Sequence, residues 1–308
     1  MKICIIDSKS FISRPELLEP LYSIGDVDLY DGIPKDKFEV VDRGKDADII
    51  AFGMMQFSHE MIDRLEKLKI LQFIGTGVNN FVDMDYAKSK GIKVLGIEGY
   101  GSNAVAEFAL SMALALNRKI PIANRRVKNK EWSIEGLQGG EIAGSTVGVI
   151  GTGNIGQLVA EKYSALGARV IACDIFENEL LKSEGVPYVT MDEIFRKSDI
   201  VTLHMKVTDE NKYGIGKNMF DVMKPGSLFV NVARAELVDP NDLFQALVND
   251  KLGGAAVDVY YDEPPAASDY RLASLSNVIA TPHIGYDTKE AIDNSIKLTV
   301  QSIVEAVG

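Results

Sequence analysis

The chain has 308 residues, 46% apolar and 25% charged, an ordinary globular composition that excludes disordered, collagen-like and coiled-coil chains. Forty-four acidic against 33 basic residues leave a formal charge of −11, a surface that repels phosphate backbones and anionic lipids, so no nucleic acid and no membrane is expected as a partner. Two cysteines and three histidines make neither a disulfide framework nor a zinc ligand set, and no metal is expected. Cys4 and Cys173 sit in apolar runs that read as strands, as buried thiols of a reducing compartment would. The run Ile3-Cys4-Ile5-Ile6 is too short for a signal peptide and no later run reaches the length of a membrane span, so a cytoplasmic location is expected.

Along the chain, short apolar runs alternate with stretches of helical periodicity. Residues 3–6, 49–52, 70–74 and 92–95 read as strands, and residues 58–68 place apolar side chains at 61, 62, 65 and 68 on one helical face. Units of this kind predict a mostly parallel sheet. Residues 102–119 predict a helix apolar on most faces, capped by Ser102 or Asn103 and buried on more than one side. The single tryptophan, Trp132, and an irregular Gly-rich stretch at 136–144 follow it. A second α/β series comes next, with strands predicted at 147–150, 169–173, 200–203, 228–232, 255–259 and 278–280, as a complete doubly wound nucleotide-binding sheet requires. Asp287 with Glu290 reads as a capping box opening a last helix, with Ile292, Ile296, Val300, Ile303 and Val307 on one stripe. Docked on the first α/β unit, that stripe makes the first domain discontinuous: residues 1–100 and 285–308, around a second domain at 101–284.

The sharpest local signal is Gly151-Thr152-Gly153-Asn154-Ile155-Gly156. The pattern is common by chance, but here it follows a predicted strand and opens a predicted helix at 157–166. Gly151 permits a tight turn, Gly153 lets backbone approach a pyrophosphate, and Gly156 lets helix and strand pack closely. Asp174 ends the next predicted strand, where a carboxylate accepts from ribose hydroxyls and repels a 2′-phosphate, so NAD is expected over NADP. Three further strand ends carry Asn231-Val232-Ala233-Arg234, Asp258-Val259-Tyr260-Tyr261-Asp262-Glu263-Pro264 and Thr281-Pro282-His283-Ile284-Gly285. An arginine that clamps a carboxylate, a histidine that moves a proton near neutral pH, and a carboxylate that orients it form a coherent set at a sheet's ligand-binding edge.

Together these motifs resemble the D-isomer-specific 2-hydroxyacid dehydrogenase family. The likeness includes Gly75-Thr76-Gly77-Val78-Asn79-Asn80 and Val105-Ala106-Glu107, and it runs in order through essentially the whole chain. It implies an NAD-dependent oxidoreductase with a Rossmann NAD domain inserted into a flavodoxin-like substrate domain, and a homodimer formed through residues 100–145. The implied catalytic residues are Arg234, Glu263 and His283, with Glu263 favouring the protonated imidazole. Implied cofactor contacts are Gly151, Gly153, Asn154, Ile155, Gly156 and Asp174, then His204, Met205, Val232, Ala233, Asp258 and Gly285. Met54, Thr76, Gly77 and Arg234 are the expected substrate contacts.

The sequence departs from the family at Ala235, where Gly usually follows the arginine, and at Asn154, where Arg often reaches the pyrophosphate. His204 itself reads more as packing than as a catalyst, and His59 as surface. Residues 52–57 carry no base to clamp a phosphate, whereas Met54 and Met55 offer a soft apolar wall. The expected substrate is therefore a small, non-phosphorylated 2-keto acid, glyoxylate-like, hydroxypyruvate-like or moderately apolar. The rival readings are an NAD(H)-sensing regulatory protein on the same fold and a 3-phosphoglycerate dehydrogenase.

Overall fold

The computed structural model describes residues 1–308, the side chain of Ser268 apart. The chain forms two compact units, Met1–Gly101 with Asp287–Gly308, and Ser102–Tyr286. The first contains strands β1 (Lys2–Ile5), β2 (Asp26–Leu29), β3 (Ile49–Phe52), β4 (Ile70–Phe73) and β5 (Lys93–Leu95). They form one parallel sheet in the order β2-β1-β3-β4-β5. Alternation along β1 supplies both faces. Ile3 and Ile5 join Leu18, Leu21, Ile49 and Ala51 on one side, while Cys4 and Ile6 join Ile50, Phe52, Phe57 and Phe73 on the other. A strand covered twice reads as an unbroken apolar run, which is why β1, β3 and β4 were visible in sequence. β2 was not foreseen. It is an edge strand paired only with β1, and its sequence Asp26-Val27-Asp28-Leu29 carries two acids.

The last helix, Lys289–Val307, docks on this unit through Ile296, Val300 and Ile303. Its start corrects the expected capping box: Thr288 is the cap, accepting from the Ala291 N–H. The helix begins one residue later than read, so Glu290 falls at the second helical position, out of step for the reciprocal bond.

The second unit holds β6 (Thr146–Ile150), β7 (Arg169–Cys173), β8 (Ile200–Leu203), β9 (Ser227–Asn231), β10 (Leu252–Val257) and β11 (Val278–Ala280). All pair in parallel, in the order β11-β10-β9-β8-β6-β7. An isolated parallel bridge from Ala172 to Tyr188 adds one further backbone segment outside β7. The strand order reverses between β6 and β8, the switch point at which ligands bind in such sheets. The helix Ser102–Asn117 buries Ala106, Ala109, Met112, Ala113 and Leu116 with Val147, Val149, Val230 and Ala256. The expected caps Ser102 and Asn103 lie inside it; Asn103 instead donates to Glu107 Oε1 at 2.8 Å. A second helix, Ile120–Lys128, starts directly after and was not foreseen.

Among the described residues no helix is long and apolar enough to cross a membrane, and no cluster of His, Cys, Asp and Glu has the makings of a metal site. Both cysteines are free, and burial pushes the Cys4 thiol up to about 12.

Candidate active site

At the end of β6, Gly151 adopts φ +88°, and a Cβ there would come within 2.5 Å of the Met205 nitrogen. Only glycine fits. A Cβ on Gly156 would stand 1.8 Å from the Gly151 carbonyl oxygen, so the third glycine is equally required. Gly153 is different: nothing lies within 4 Å of its missing Cβ. It caps the helix Asn154–Ala165, and among the described residues the first turn of that helix has no side-chain cap. Open space in front of uncapped N–H groups at a helix N-terminus suits an anion, so the loop fits the pyrophosphate of a dinucleotide. Asp174, just beyond β7, completes that side of the site, with Ile175 and Phe176 exposed beside it.

His204 follows β8 and backs the glycine turn, its Cβ 3.4 Å from the position a Gly156 Cβ would take. Its Nε2 lies 2.8 Å from the Thr202 hydroxyl, while Nδ1 is buried without a partner. Burial alone drives its pKa down to about 3, so the ring is neutral at physiological pH.

The acid–base candidates follow the last three strands. Asn231, buried at the end of β9, accepts from the Ala233 N–H at 3.0 Å and donates to the Arg234 carbonyl at 2.9 Å, which fixes the turn that presents Arg234. Arg234 Nη1 donates to the Ala233 carbonyl at 2.7 Å. Ala235 starts a short 3₁₀ turn and is buried.

Asp258, 2% exposed, is the hub of the remaining loop. Its Oδ1 accepts from the Thr281 hydroxyl at 2.6 Å and the Ile284 N–H at 3.0 Å, and its Oδ2 accepts from the Gly285 N–H at 2.8 Å. A carboxylate offers about four acceptor positions, and three are committed to the segment that carries His283. That segment needs holding, because His283 sits at φ +53° in the left-handed region, which costs a non-glycine residue roughly 1–3 kcal/mol. His283 Nδ1 lies 2.7 Å from Glu263 Oε2, while Glu263 Oε1 accepts from the Tyr260 N–H at 3.3 Å. Partial burial works to raise the Glu263 carboxyl. The hydrogen bond and charge of His283, the Tyr260 N–H and the nearby Arg234 charge outweigh it and hold the carboxyl below its ordinary range. An ionised Glu263 places a hydrogen on Nδ1, so Nε2 is the nitrogen left to exchange protons.

In the first unit, Met54 is 46% exposed after β3, Thr76 Oγ1 donates to the Ile97 carbonyl at 2.9 Å, and Gly77 adopts φ +88°. Buried Asp7 accepts from the Gly53 and Met54 N–H groups, at 3.0 and 2.8 Å. The sequence gives Asp7 no role, and Asn231 none beyond its place in the Asn231–Arg234 motif: each organises a loop by accepting backbone N–H groups, and such a role leaves no spacing pattern.

A family model for the D-isomer specific 2-hydroxyacid dehydrogenase NAD-binding domain matches residues 110–285. The aromatic 2-oxoacid reductase of Clostridium sporogenes is 40% identical over 261 residues, 79% of this chain and 78% of that protein. The hydroxypyruvate reductase of Thermotoga maritima is 40% identical over 233 residues, 75% of each chain. The solved D-lactate dehydrogenase of Aquifex aeolicus, complexed with NAD and lactic acid, superposes with a TM-score of 0.84 at 29% identity, covering 100% of this chain and 95% of that one. The strand ends, the glycine turn and these likenesses agree: the chain belongs to the D-isomer-specific 2-hydroxyacid dehydrogenase family and is an NAD-dependent oxidoreductase of 2-hydroxy and 2-oxo acids.

Proposed function

We propose that this enzyme reduces a small or moderately apolar, non-phosphorylated 2-keto acid, with Arg234, Glu263 and His283 as its catalytic residues. The observation that carries the assignment is the 2.7 Å pair of His283 Nδ1 with Glu263, set on a loop pinned by Asp258 and leaving Nε2 open. Arg234 holds the substrate carboxylate through its guanidinium and so sets which face of the keto group is attacked. When bound, NADH supplies the hydride for the keto carbon. His283 Nε2 gives its proton to the oxygen on which charge develops, and Glu263 stabilises the imidazolium until then. In the oxidation direction the same nitrogen takes the hydroxyl proton.

Gly151, Gly153, Asn154, Ile155 and Gly156 hold the pyrophosphate, and Asp174 the adenosine ribose. His204 and Met205 support that turn from behind. Val232, Ala233 and Gly285 would line the nicotinamide end of the cofactor, and Asp258, with one acceptor position uncommitted, would be free to accept a hydrogen bond from it. Met54, Thr76 and Gly77 contact the substrate. Exposed Met54 and the absence of a base at 52–57 support an apolar substrate end, and the likeness to an aromatic 2-oxoacid reductase extends the range to aromatic 2-oxo acids. We also propose a cytoplasmic homodimer through residues 100–145, where Trp132 is 94% and Ile134 88% exposed. Sedimentation equilibrium tests it, and a monomeric mass rejects it.

The test of the activity is NADH oxidation with glyoxylate, hydroxypyruvate, pyruvate, phenylpyruvate and 2-ketoisocaproate, with NADPH in parallel and 3-phosphohydroxypyruvate as the phosphorylated comparator. Turnover best on an unphosphorylated acid supports the reading. Preference for the phosphorylated acid overturns the substrate class.

A further inference from the structure

The Asp174 carboxylate is held from one side. Its Oδ2 accepts from the Thr152 N–H at 2.5 Å and the Thr152 hydroxyl at 3.1 Å, whereas Oδ1 receives only a long 3.3 Å bond from the Phe176 N–H. Thr152, 2% exposed, is the second residue of the Gly-rich turn. Its hydroxyl oxygen accepts from the Tyr188 phenol at 2.9 Å, and the phenol oxygen accepts from the Asn178 N–H at 2.8 Å. The direction of this chain is forced. A backbone N–H only donates and a carboxylate at neutral pH only accepts, so both hydroxyls between them pass their hydrogens toward Asp174. Bonds aligned head to tail polarise and strengthen one another.

Both ends of the chain are anchored. Asn178 Nδ2 donates to the Thr152 carbonyl at 3.1 Å and to Gln157 Oε1 at 2.9 Å, and its Oδ1 caps the helix Glu179–Ser183. Tyr188 is the bridge residue outside β7, where the Ala172 N–H donates to Pro187 and the Val189 N–H to Ala172, each at 2.9 Å. Its ring packs on the core that contains Ala172 and Leu181. The ring needs only that packing, so the hydroxyl has work of its own.

We propose that Tyr188, acting through Thr152, fixes which oxygen of Asp174 faces the adenosine ribose, and is thereby a positioning residue for the choice of NAD over NADP. The proposal rests on the ribose role of Asp174 given above. With Oδ2 committed to Thr152, the carboxylate cannot rotate without giving up hydrogen bonds, and Oδ1 is left for ribose hydroxyls. The same fixed charge stands against a 2′-phosphate, which a mobile carboxylate could evade. Without the phenol, the Thr152 hydroxyl can turn its hydrogen elsewhere, and Asp174 loses one of its two restraints on Oδ2.

Dissociation constants for NADH and NADPH, measured by titration calorimetry on the full chain beside the Tm of the ligand-free protein, test this. Tyr188→Phe keeps the ring, and should weaken NADH about tenfold, the weight of one hydrogen bond, while changing NADPH less and leaving Tm nearly in place. Thr152→Val should reproduce the effect, Thr152→Ser should restore wild-type behaviour, and Tyr188→Phe with Thr152→Val should be no worse than the worse single variant. Unchanged NADH affinity in Tyr188→Phe, or an equal loss for both cofactors, overturns the proposal. Asp174→Ala separates the two levels. If it leaves the NADH-to-NADPH ratio at the wild-type value, the ribose assignment falls and the relay with it. If it collapses the ratio while Tyr188→Phe does not, the relay alone falls.

Discussion

His204 and His283 follow strands β8 and β11 of one sheet, and their surroundings differ in each respect that governs proton transfer. His204 lies behind the glycine turn with one nitrogen on the Thr202 hydroxyl, the other buried without a partner, and its pKa driven down to about 3. His283 has a side chain 37% exposed, a carboxylate on Nδ1, an open Nε2 and a left-handed backbone held by Asp258. A position at a strand end therefore does not make a histidine an acid or base. A charge partner on one nitrogen and access at the other do.

The comparison breaks first at His283. His283→Ala is expected to lower kcat in both directions by about 10²–10⁴-fold, the usual weight of a positioned acid–base group, with NADH affinity unchanged. Near-normal turnover would remove the acid–base assignment altogether. The second break is at the anchor. Asp258→Asn presents one acceptor oxygen where two backbone N–H groups and a hydroxyl now converge on two oxygens. Leaving one donor unpaired costs about 1–3 kcal/mol, so Tm should fall. The His283 loop should also drift, and a displacement of roughly 1 Å at a reacting group is worth up to about 10²-fold in kcat. An Asp258→Asn enzyme with wild-type Tm and kcat would show that the loop holds its shape without the carboxylate.

Much of this arrangement was legible in sequence, for identifiable reasons. Apolar runs gave away all six strands of the second unit, the inner ones most clearly because both their faces are covered, and the Gly-x-Gly-x-x-Gly spacing gave away the turn with Asp174 beyond it. Arg234, Glu263 and His283 were picked out because their chemistries complement one another at strand ends. What stayed hidden was whatever acts by holding backbone. β2 escaped because an edge strand needs only partial cover, and two of its four residues are aspartates. Asp7 and Asn231 stayed without a role because their partners are N–H and carbonyl groups, which every residue has, and the Asn178–Tyr188–Thr152 relay because its side chains meet across sequence separations that follow no helical or strand period. The capping box at 287–290 was misread by one residue, since Thr288 and Asp287 are both good caps and only the backbone path decides between them.

The smallest effect sharpens the comparison from the side of His204. Its folded pKa of about 3 lies below that of an unfolded histidine, about 6.5. Above pH 6.5 both states are neutral there and the residue costs nothing. As pH falls below 6.5 the unfolded chain takes up a proton that the folded one refuses, so stability declines by up to about 1.4 kcal/mol per pH unit and levels off near pH 3. Glu263 adds no slope in the upper part of that range. Its folded pKa is held down, so its contribution is present above the unfolded value of roughly 4.3 and is lost only as pH falls below it. Urea unfolding of the wild type and His204→Gln at pH 8 and pH 5.5 should therefore diverge. The wild type should lose about 1 kcal/mol more on acidification, because glutamine cannot take up the proton. Parallel losses in the two proteins would mean that the unpaired Nδ1 reaches solvent or a proton donor in solution, and that His204 is not held neutral by burial.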